Sequence, residues 1–543
     1  MKNILNTQTK NITLAAFILG MASFASILLG LCRDRLLAGK FGAGDELDIY
    51  YAAFRIPDFV AMLLILSAIS AAIIPVFSEY LVKSKEEAWQ FTSALLNLFL
   101  VVLIFVCLGL VFFTPYLVSL LAPGFQGEKK ELTIILTRIM FLSPILLGIS
   151  SIISGILQVF HRFLVTSLAP IMYNLGIIVG ILFFVPKMGL AGLAWGVVLG
   201  GFFHLFIQLP AFFYAGFQYK KIFTLAHTGV QKAIKLMIPR SLGLAASQIN
   251  LIIITAIAST LASGSIAVFN LANNLIYPLV GLIAVPFSTA IFPDLSLTFS
   301  KNEKTEFVRK FSSVFRQILF LIIPLSFLFF ILRAQIVRII YGTGQFGWLD
   351  TRLTAACLGL FSFGIFAQGL SLLISKTFYA TQDTKTPAVI SFITVALTLG
   401  FGFLFVWLLG FSNIFHVFME KVLKLKDIKD ISVVGLPLAF SFAGIIQFGL
   451  LLIFLKRKIG DIGLKEIWQS FQKIVLASIL MVCLTYLTLG VLANWVETKT
   501  FLGIFSQTAF AAIVGGIVYL SAAWFLKVPE LQGIKSAIFQ KFK

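Results

Sequence analysis

Charged residues are concentrated near the start of an otherwise apolar sequence. They are Arg33, Asp34, Arg35, Asp45, Glu46, Asp48, Arg55 and Asp58. Because a guanidinium group binds phosphate through paired N–H donors, Arg33 and Arg55 suit a polyanionic head group such as a pyrophosphate. Asp48 and Arg55 are seven residues apart, two helical turns, and are therefore predicted to share one helix face. Alternatively, one arginine forms a salt bridge with Asp34, Asp48 or Asp58 that locks two helices together.

No catalytic or metal-binding pattern accompanies these charges. The sequence contains no G-x-x-x-x-G-K-[ST] loop and no H-E-x-x-H motif. None of its four cysteines belongs to a C-x-x-C pair: they are Cys32, Cys107, Cys357 and Cys483. We therefore predict a protein that is not an enzyme and that requires neither a metal nor a cofactor.

The composition is that of a membrane protein. Of the 543 residues, 59% are hydrophobic and 12% are charged, and the mean hydropathy is +1.01. Soluble domains are about 25% charged, so this chain cannot cover a water-exposed surface of its size. The net charge of +20 lies in short basic clusters between long apolar runs. This pattern excludes a soluble enzyme, a disordered chain and a nucleic-acid-binding protein, and it indicates a polytopic membrane protein.

The elements that must position the charges are apolar segments. About 14 segments have the ~20 residues needed to span a bilayer. Their approximate centres are residues 22, 65, 102, 146, 175, 201, 250, 281, 323, 366, 398, 444, 482 and 513. Continuous apolar runs predict helices rather than the alternating strands of a barrel. Basic residues lie mainly in alternate loops, which predicts that both termini are cytoplasmic.

Short patterns recur in the two halves of the chain. Ile74-Pro75-Val76-Phe77-Ser78 resembles Phe292-Pro293-Asp294-Leu295-Ser296, and Gly192-Leu193-Ala194 resembles Gly435-Leu436-Pro437. The matching segments are an even number of predicted spans apart, so the repeats have the same orientation across the membrane. We predict an all-α polytopic membrane protein with two six-helix lobes in parallel pseudo-repeat, residues 1–218 and 219–460. Residues 461–543 would add two transmembrane helices. Two lobes around a cavity are typical of a transporter that works by rocking.

Other polar residues and glycines lie within the apolar segments. The arginines are Arg138, Arg240, Arg333 and Arg338, and the amides include Gln248, Asn250, Asn270, Asn273, Asn274, Gln368 and Gln447. Hydrogen bonding between helices is the simplest interpretation of the amides. Gly196, Gly200 and Gly201 form a stripe of small residues, which predicts close helix packing.

A set of motifs extends along the whole chain. The first are Gly30-x-x-Arg33-Asp34, Phe41-Gly42-Ala43-Gly44, Asp48 and Ala53-Phe54-Arg55-Ile56-Pro57. The others are Leu121-Ala122-Pro123-Gly124-Phe125, Leu168-Ala169-Pro170 with Tyr173-Asn174-Leu175-Gly176, Pro239-Arg240 with Ser247-Gln248-Ile249-Asn250, and Phe378-Tyr379-Ala380 with Asp383-Thr384-Lys385-Thr386-Pro387. Together they resemble the MurJ/MviN family of lipid II flippases.

The resemblance implies a fold and a set of site residues. The fold is that of the MATE-like exporter superfamily, with two six-helix lobes, a central cationic cavity and a lateral groove formed with the last two helices. Arg33, Asp34, Asp48 and Arg55 match positions of the family motif, and cavity arginines in the family are thought to engage a pyrophosphate. Family arginines of the first, second and eighth spans fall on Ile27, Ala61 and Asn274, and a family acid falls on Leu66. Asn274 is retained as a candidate substrate-binding position.

We therefore predict a flippase that moves a polyprenyl-pyrophosphate-linked peptidoglycan precursor, lipid II, from the inner to the outer leaflet by alternating access. The alternative is an exporter of another lipid-linked oligosaccharide or of a drug within the same superfamily. The predicted location is the bacterial inner membrane, and the predicted partners are the lipid-linked precursor and membrane lipids, with no nucleic acid and a monomeric state. The energy source stays open between membrane potential, an ion gradient and substrate synthesis.

Overall fold

The computed structural model describes residues 12–63, 73–223, 227–495, 497 and 500–531. The regular secondary structure of these residues is helical, and they form no β-strand. The described residues fall into two compact units that divide between Ala267 and Val268. The division into residues 1–218, 219–460 and 461–543 stays a prediction.

Unit 1 contains eleven described helices and the start of a twelfth. They are α1 (Ile12–Phe41), α2 (Asp45–Ala61), α3 (Ile74–Lys83), α4 (Lys85–Leu121), α5 (Gly127–Met140), α6 (Leu142–Val159), α7 (Phe163–Val179), α8 (Val185–Met188), α9 (Ala191–Phe206), α10 (Leu209–Tyr214) and α11 (Thr228–Ser259). A π-helical turn, Gly180–Phe184, joins α7 to α8. Helix α12 (Ser265–Ser300) begins in unit 1 and continues into unit 2.

Unit 2 contains the remaining described helices. They are α13 (Lys304–Ile331), α14 (Arg333–Tyr341), α15 (Trp348–Ser362), α16 (Ile365–Ala380), α17 (Lys385–Leu409), α18 (Ile414–Leu423), α19 (Gly435–Ile459), α20 (Leu464–Leu492) and α21 (Phe501–Phe525). A short 3-10 turn, Ser432–Val434, precedes α19.

Ten stretches of the described chain are long and apolar enough to cross a membrane. They are Lys85–Leu121, Gly127–Val159, Phe163–Met188, Ala191–Tyr214, Ser265–Ser300, Lys304–Ile331, Lys385–Leu409, Ser432–Ile459, Leu464–Leu492 and Phe501–Phe525. The pair α15 and α16, bent by 43°, is an eleventh if it is counted as one span. Each predicted segment centre lies within a described helix except residue 65, which is outside the described residues. The all-helical membrane class is confirmed, and the count of 14 stays a prediction.

Helix α4 begins at a capped N-terminus and is longer than the hydrocarbon core of a membrane. Ser84 accepts a hydrogen bond from the backbone N–H of Glu87 at 3.1 Å, and Glu86 and Glu87 occupy the first turn. This N-cap satisfies a free N–H group, and the acids complement the helix dipole. A helix of 37 residues is about 55 Å long at 1.5 Å per residue, so it extends beyond a hydrocarbon core of about 30 Å.

Glycines bring α7 and α9 into direct backbone contact. A Cβ atom added to Gly176 would lie 2.3 Å from Cα of Gly200, and one added to Gly180 would lie 2.4 Å from Cα of Gly196. Both distances are too short for any side chain, so only glycine permits this approach. Two glycines of the predicted stripe, Gly196 and Gly200, therefore form the close helix packing that the sequence indicates.

The bend between α15 and α16 has a packing cause. A Cβ atom on Gly364 would lie 2.8 Å from Oγ of Ser441 on α19. The same hydroxyl donates to the carbonyl of Leu360 at 2.9 Å, so the carbonyl near the break has a partner. A polar side chain that satisfies the backbone makes such a break tolerable in an apolar environment.

Specific polar contacts attach the last two helices to α13. Arg316 on α13 forms a salt bridge with Glu530 at 3.1 Å, and Oγ of Ser470 on α20 donates to the same carboxylate at 2.7 Å. The hydroxyl of Tyr519 on α21 donates to the carbonyl of Phe320 at 2.7 Å. Because Glu530 is buried, losing one partner would leave a desolvated charge, which is costly.

Candidate functional site

The guanidinium group of Arg33, near the end of α1, is held by two partners. Nε and Nη2 donate to Oδ1 of Asp34 at 2.9 and 2.7 Å, and Nη1 donates to Oδ1 of Asn174 on α7 at 2.9 Å. Arginine has five N–H donors, so two have no acceptor in the described part of the chain. The Arg33 side chain is 22% exposed and that of Asp34 only 3%. The group is therefore oriented and still has donors for an anionic ligand.

Tyr51 on α2 adds a hydroxyl group to this region. It lies close enough to Arg33 to interact with it electrostatically. Its Oη atom is buried and has no hydrogen-bond partner among the residues the structure describes. Leaving such a group unsatisfied costs about 1–3 kcal/mol, so a ligand oxygen would be a favourable partner.

Asp48 is buried, and it binds the start of α12. Its Oδ2 accepts from the backbone N–H of Gly264 at 2.8 Å, and its Oδ1 accepts from that of Ala267 at 2.9 Å. Lys129 on α5 lies 3.3 Å from the same carboxylate and also contacts Asp45. These contacts fit the structural alternative, in which an acid joins helices, although the partner is a lysine and a helix end rather than an arginine.

Arg55 also contacts unit 1 residues that follow α10, at a different position from Asp48. Its Nε donates to Oγ1 of Thr255 on α11 at 3.3 Å, and Asp58, three residues further along α2, interacts with it electrostatically. Both Asp48 and Arg55 are therefore directed toward the segment that contains α11 and the start of α12, as their seven-residue spacing predicts.

Three of the remaining candidate positions are half-buried. Asn274 is half-buried on α12 and belongs to unit 2. Ile27 on α1 and Ala61 at the end of α2 are also half-buried and carry no polar side chain. Leu66, where the resemblance implies an acid, lies outside the described residues.

Arg33, Arg55 and Lys129 each have an acid beside them. Arg33 has Asp34, Arg55 has Asp58, and Lys129 has Asp45 and Asp48. The local charge is therefore balanced rather than strongly positive. A pyrophosphate at Arg33 would be recognised by directed N–H and O–H donors more than by net charge.

Two residues of this region were not identified as site residues in the sequence. Asn174 lies within a family motif but is 141 residues from its partner Arg33, and no local spacing indicates the contact. Lys129 occurs in a segment whose charges nearly balance, next to the motif that ends at Phe125. Gly124, five residues before Lys129, marks a close approach of this segment to the end of α11. A Cβ atom on Gly124 would lie 2.0 Å from the carbonyl oxygen of Ser259.

The motif at Asp383 forms a helix cap. Its carboxylate accepts from the backbone N–H and from Oγ1 of Thr386 at 3.0 and 2.9 Å, and it pairs with Lys458 at 3.1 Å. Burial raises the pKa of Asp383, but these hydrogen bonds and the lysine charge outweigh burial and hold the pKa below its usual value. The motif begins α17 and connects it to the end of α19.

The other arginines make contacts outside this region. Nε of Arg138 donates to the carbonyl of Val111 at 3.3 Å, and its side chain is exposed. Arg333 donates to the carbonyls of Phe330 and Val422. The side chain of Arg240 is not among those the structure describes. In the described residues, no group of three or more His, Cys, Asp or Glu side chains could hold a metal ion.

Comparison with known proteins gives consistent similarities. The family model described as lipid II flippase MurJ matches residues 37–506. A probable lipid II flippase MurJ of Buchnera aphidicola subsp. Schizaphis graminum is 30% identical over 538 residues, covering 98% of this chain and all of the relative. The lipid II flippase MurJ of Burkholderia cenocepacia is 27% identical over 401 residues, covering 72% of this chain and 77% of the relative.

Solved structures agree with the sequence matches. A structure of lipid II flippase MurJ in an inward closed conformation has a TM-score of 0.75 and 27% identity, and the match covers 94% of this chain and 99% of that chain. An inward-facing multidrug resistance MATE family transporter has a TM-score of 0.65 at 12% identity, which shows a shared fold only. The family consists of transporters rather than enzymes. Since its model matches most of the sequence, the chain belongs to the lipid II flippase MurJ family.

Proposed function

We propose that this protein translocates lipid II from the inner to the outer leaflet of the bacterial inner membrane. The family match over residues 37–506 is the observation that carries this function. The ten described apolar helices suit a multi-pass membrane protein. Alternating access, with two six-helix lobes rocking around a central cavity, is the mechanism we propose for the movement.

We further propose that Arg33 binds the pyrophosphate of the substrate. Support comes from its two remaining N–H donors, its partial exposure and the nearby hydroxyl of Tyr51. Asp34 and Asn174 would orient the guanidinium group before substrate arrives, which reduces the entropy lost on binding. Asp48 and Arg55 would then support this end of unit 1 through α11 and the start of α12, and Asn274 remains a proposed substrate-binding residue.

Complementation of a bacterium depleted of its own lipid II flippase tests the function. Growth should be restored by the full chain and abolished by Arg33→Ala, because an alanine has no donors for phosphate. Arg33→Lys should restore growth only in part, since an ammonium keeps the charge but loses the paired donors. Arg309→Ala is the matched control: Arg309 is exposed and pairs with Glu306 on its own helix, so growth should be unaffected.

Two outcomes would contradict these proposals separately. Failure of the unmodified chain to restore growth, despite insertion in the membrane, would count against lipid II as the substrate and favour another lipid-linked oligosaccharide. Full growth with Arg33→Ala would leave the function intact and remove Arg33 from it. If Arg33 serves only to pair with Asp34, Arg33→Ala should lower thermal stability, and exchanging the two charges should restore growth.

The proposed topology has both termini in the cytoplasm. Support comes from basic residues in alternate loops. Thiols introduced near residue 305 should be protected from an impermeant reagent in intact cells, and thiols near residue 425 should react. The opposite pattern would reverse the orientation.

A further inference from the structure

Helix α18 exposes a continuous apolar face. Ile414 is 91% exposed and Phe418 is 59% exposed, and Val417 and Val422 are exposed beside them. These positions follow the spacing of three and four residues that places side chains on one side of a helix. A face of this kind on a ten-residue helix requires an apolar environment.

The opposite side of α18 is packed against the protein. Met419 and Leu423 are buried. At the start of the helix, Oδ1 of Asn413 accepts from the backbone N–H of His416 at 2.8 Å, which is a regular N-cap. At its end, Lys424 has a left-handed conformation with φ of 57°. The helix therefore has defined ends and a defined buried side.

Two arginines fix α18 to neighbouring helices of unit 2. Nη2 of Arg333, at the start of α14, donates to the carbonyl of Val422 at 3.4 Å. Nη2 of Arg352 on α15 donates to the carbonyls of Lys424 and Lys426 at 2.6 and 2.8 Å. Because backbone groups at its end are held by charged donors, α18 keeps its apolar face directed outward.

The depth of α18 follows from its contact with α17. The ring of Phe415 stacks on Phe405 with centroids 6.0 Å apart, so α18 lies beside the last turns of α17. A helix of 25 residues is about 37 Å long, longer than a hydrocarbon core of about 30 Å, so those turns reach the membrane interface. Trp407 and Phe411 are exposed at the same level, as aromatic residues of an interfacial belt are.

We propose that α18 is an interfacial anchor whose apolar face is inserted at the boundary between lipid head groups and acyl chains. Helix α17 has an exposed apolar side of its own, which includes Phe403 and Trp407. Lys421 lies seven residues after Ile414 on the same face, and its long stem lets the ammonium group reach the head groups while the neighbours remain in the apolar layer. This binding surface is independent of the substrate and of Arg33.

Spin-label accessibility in lipid vesicles tests this proposal. The two exposed cysteines, Cys32 and Cys483, are replaced by alanine, whereas the buried Cys107 and Cys357 are kept. Nitroxide labels are then attached to Ile414→Cys or Phe418→Cys in the full chain. The protein is reconstituted in vesicles of phosphatidylethanolamine and phosphatidylglycerol. Oxygen, which partitions into the bilayer, and a water-soluble nickel chelate are used as collision reagents.

At both positions collisions with oxygen should exceed collisions with the nickel chelate. Phe403→Cys on α17 is the matched lipid-facing control and should give the same order. Lys429→Cys, in the exposed loop after α18, should give the reverse order. Nickel accessibility at 414 and 418 equal to that at 429 would place the face in water and overturn the proposal. Protection from both reagents would show that protein covers the face, such as a second copy, and would also overturn it.

Discussion

Replacing Asp48 by asparagine tests whether this residue supports the fold or contacts the substrate. Its two carboxylate oxygens accept from the backbone N–H groups of Gly264 and Ala267 and also face Lys129. An asparagine has one acceptor oxygen, and its NH₂ group would face an N–H donor. One buried donor would then lose its acceptor, at a cost of about 1–3 kcal/mol.

A second contribution comes from the lost charge. A hydrogen bond to an ionised acceptor is roughly twice as strong as one to a neutral acceptor, so the remaining bond would weaken by about 1 kcal/mol. We therefore expect Asp48→Asn to destabilise the protein by about 2–4 kcal/mol. At 1.4 kcal/mol for each factor of ten, the unfolded fraction would rise roughly 30- to 700-fold. Lys129 would keep its contact with Asp45.

The assay uses protein in which the exposed Cys32 and Cys483 are replaced by alanine, and it follows exposure of the buried thiols Cys107 and Cys357 to a thiol-reactive dye during heating in detergent. Asp48→Asn should react at a clearly lower temperature than the unmodified protein. Glu46→Gln is the matched control, because it makes the same chemical change at an exposed position of α2. Equal melting of the two variants, together with loss of transport only in Asp48→Asn, would refute the structural role and place Asp48 in the substrate site.

Two further predictions use other contacts. Gly180→Ala should destabilise the protein by about 1–3 kcal/mol because the new methyl group overlaps Gly196. The control Gly109→Ala, which has open space around the new methyl group, should be neutral or stabilising. Equal melting temperatures for the two variants would contradict this prediction. Since the pKa of Asp383 is lower in the folded protein than in the unfolded chain, its stabilisation is present above about pH 4 and is lost as the pH falls through the lowered value. Melting temperature against pH should therefore fall less steeply in acid for Asp383→Asn than for the exposed control Asp427→Asn, and parallel curves would contradict the assignment.

Most helices can be predicted because the length of an apolar segment is read directly from consecutive residues. Thirteen of the predicted segment centres lie within described helices, and only the one at residue 65 falls outside the described chain. The bend at Gly364 was not predicted, because it depends on Ser441, which approaches from another helix. The short helix α18 was also missed, since ten residues between two long segments look like an ordinary loop.

The sequence predicts which residues belong to the candidate site better than it predicts what those residues contact. The shared direction of Asp48 and Arg55 follows from helical periodicity, which a sequence contains. The pairing of Arg33 with Asn174 depends on how α1 packs against α7, and such tertiary contacts have no local signal. For the same reason, the backbone donors that occupy Asp48 could not be foreseen from the charges alone.

The contact between α7 and α9 has a consequence for motion. Where Gly176 meets Gly200 and Gly180 meets Gly196, there are no side chains that could change rotamer. Forming this contact loses no side-chain rotamer entropy, and sliding one helix along the other would raise steric overlap at once. Helices α7 and α9 should therefore move together as one rigid body. Any bending during the transport cycle has to occur in other parts of the protein.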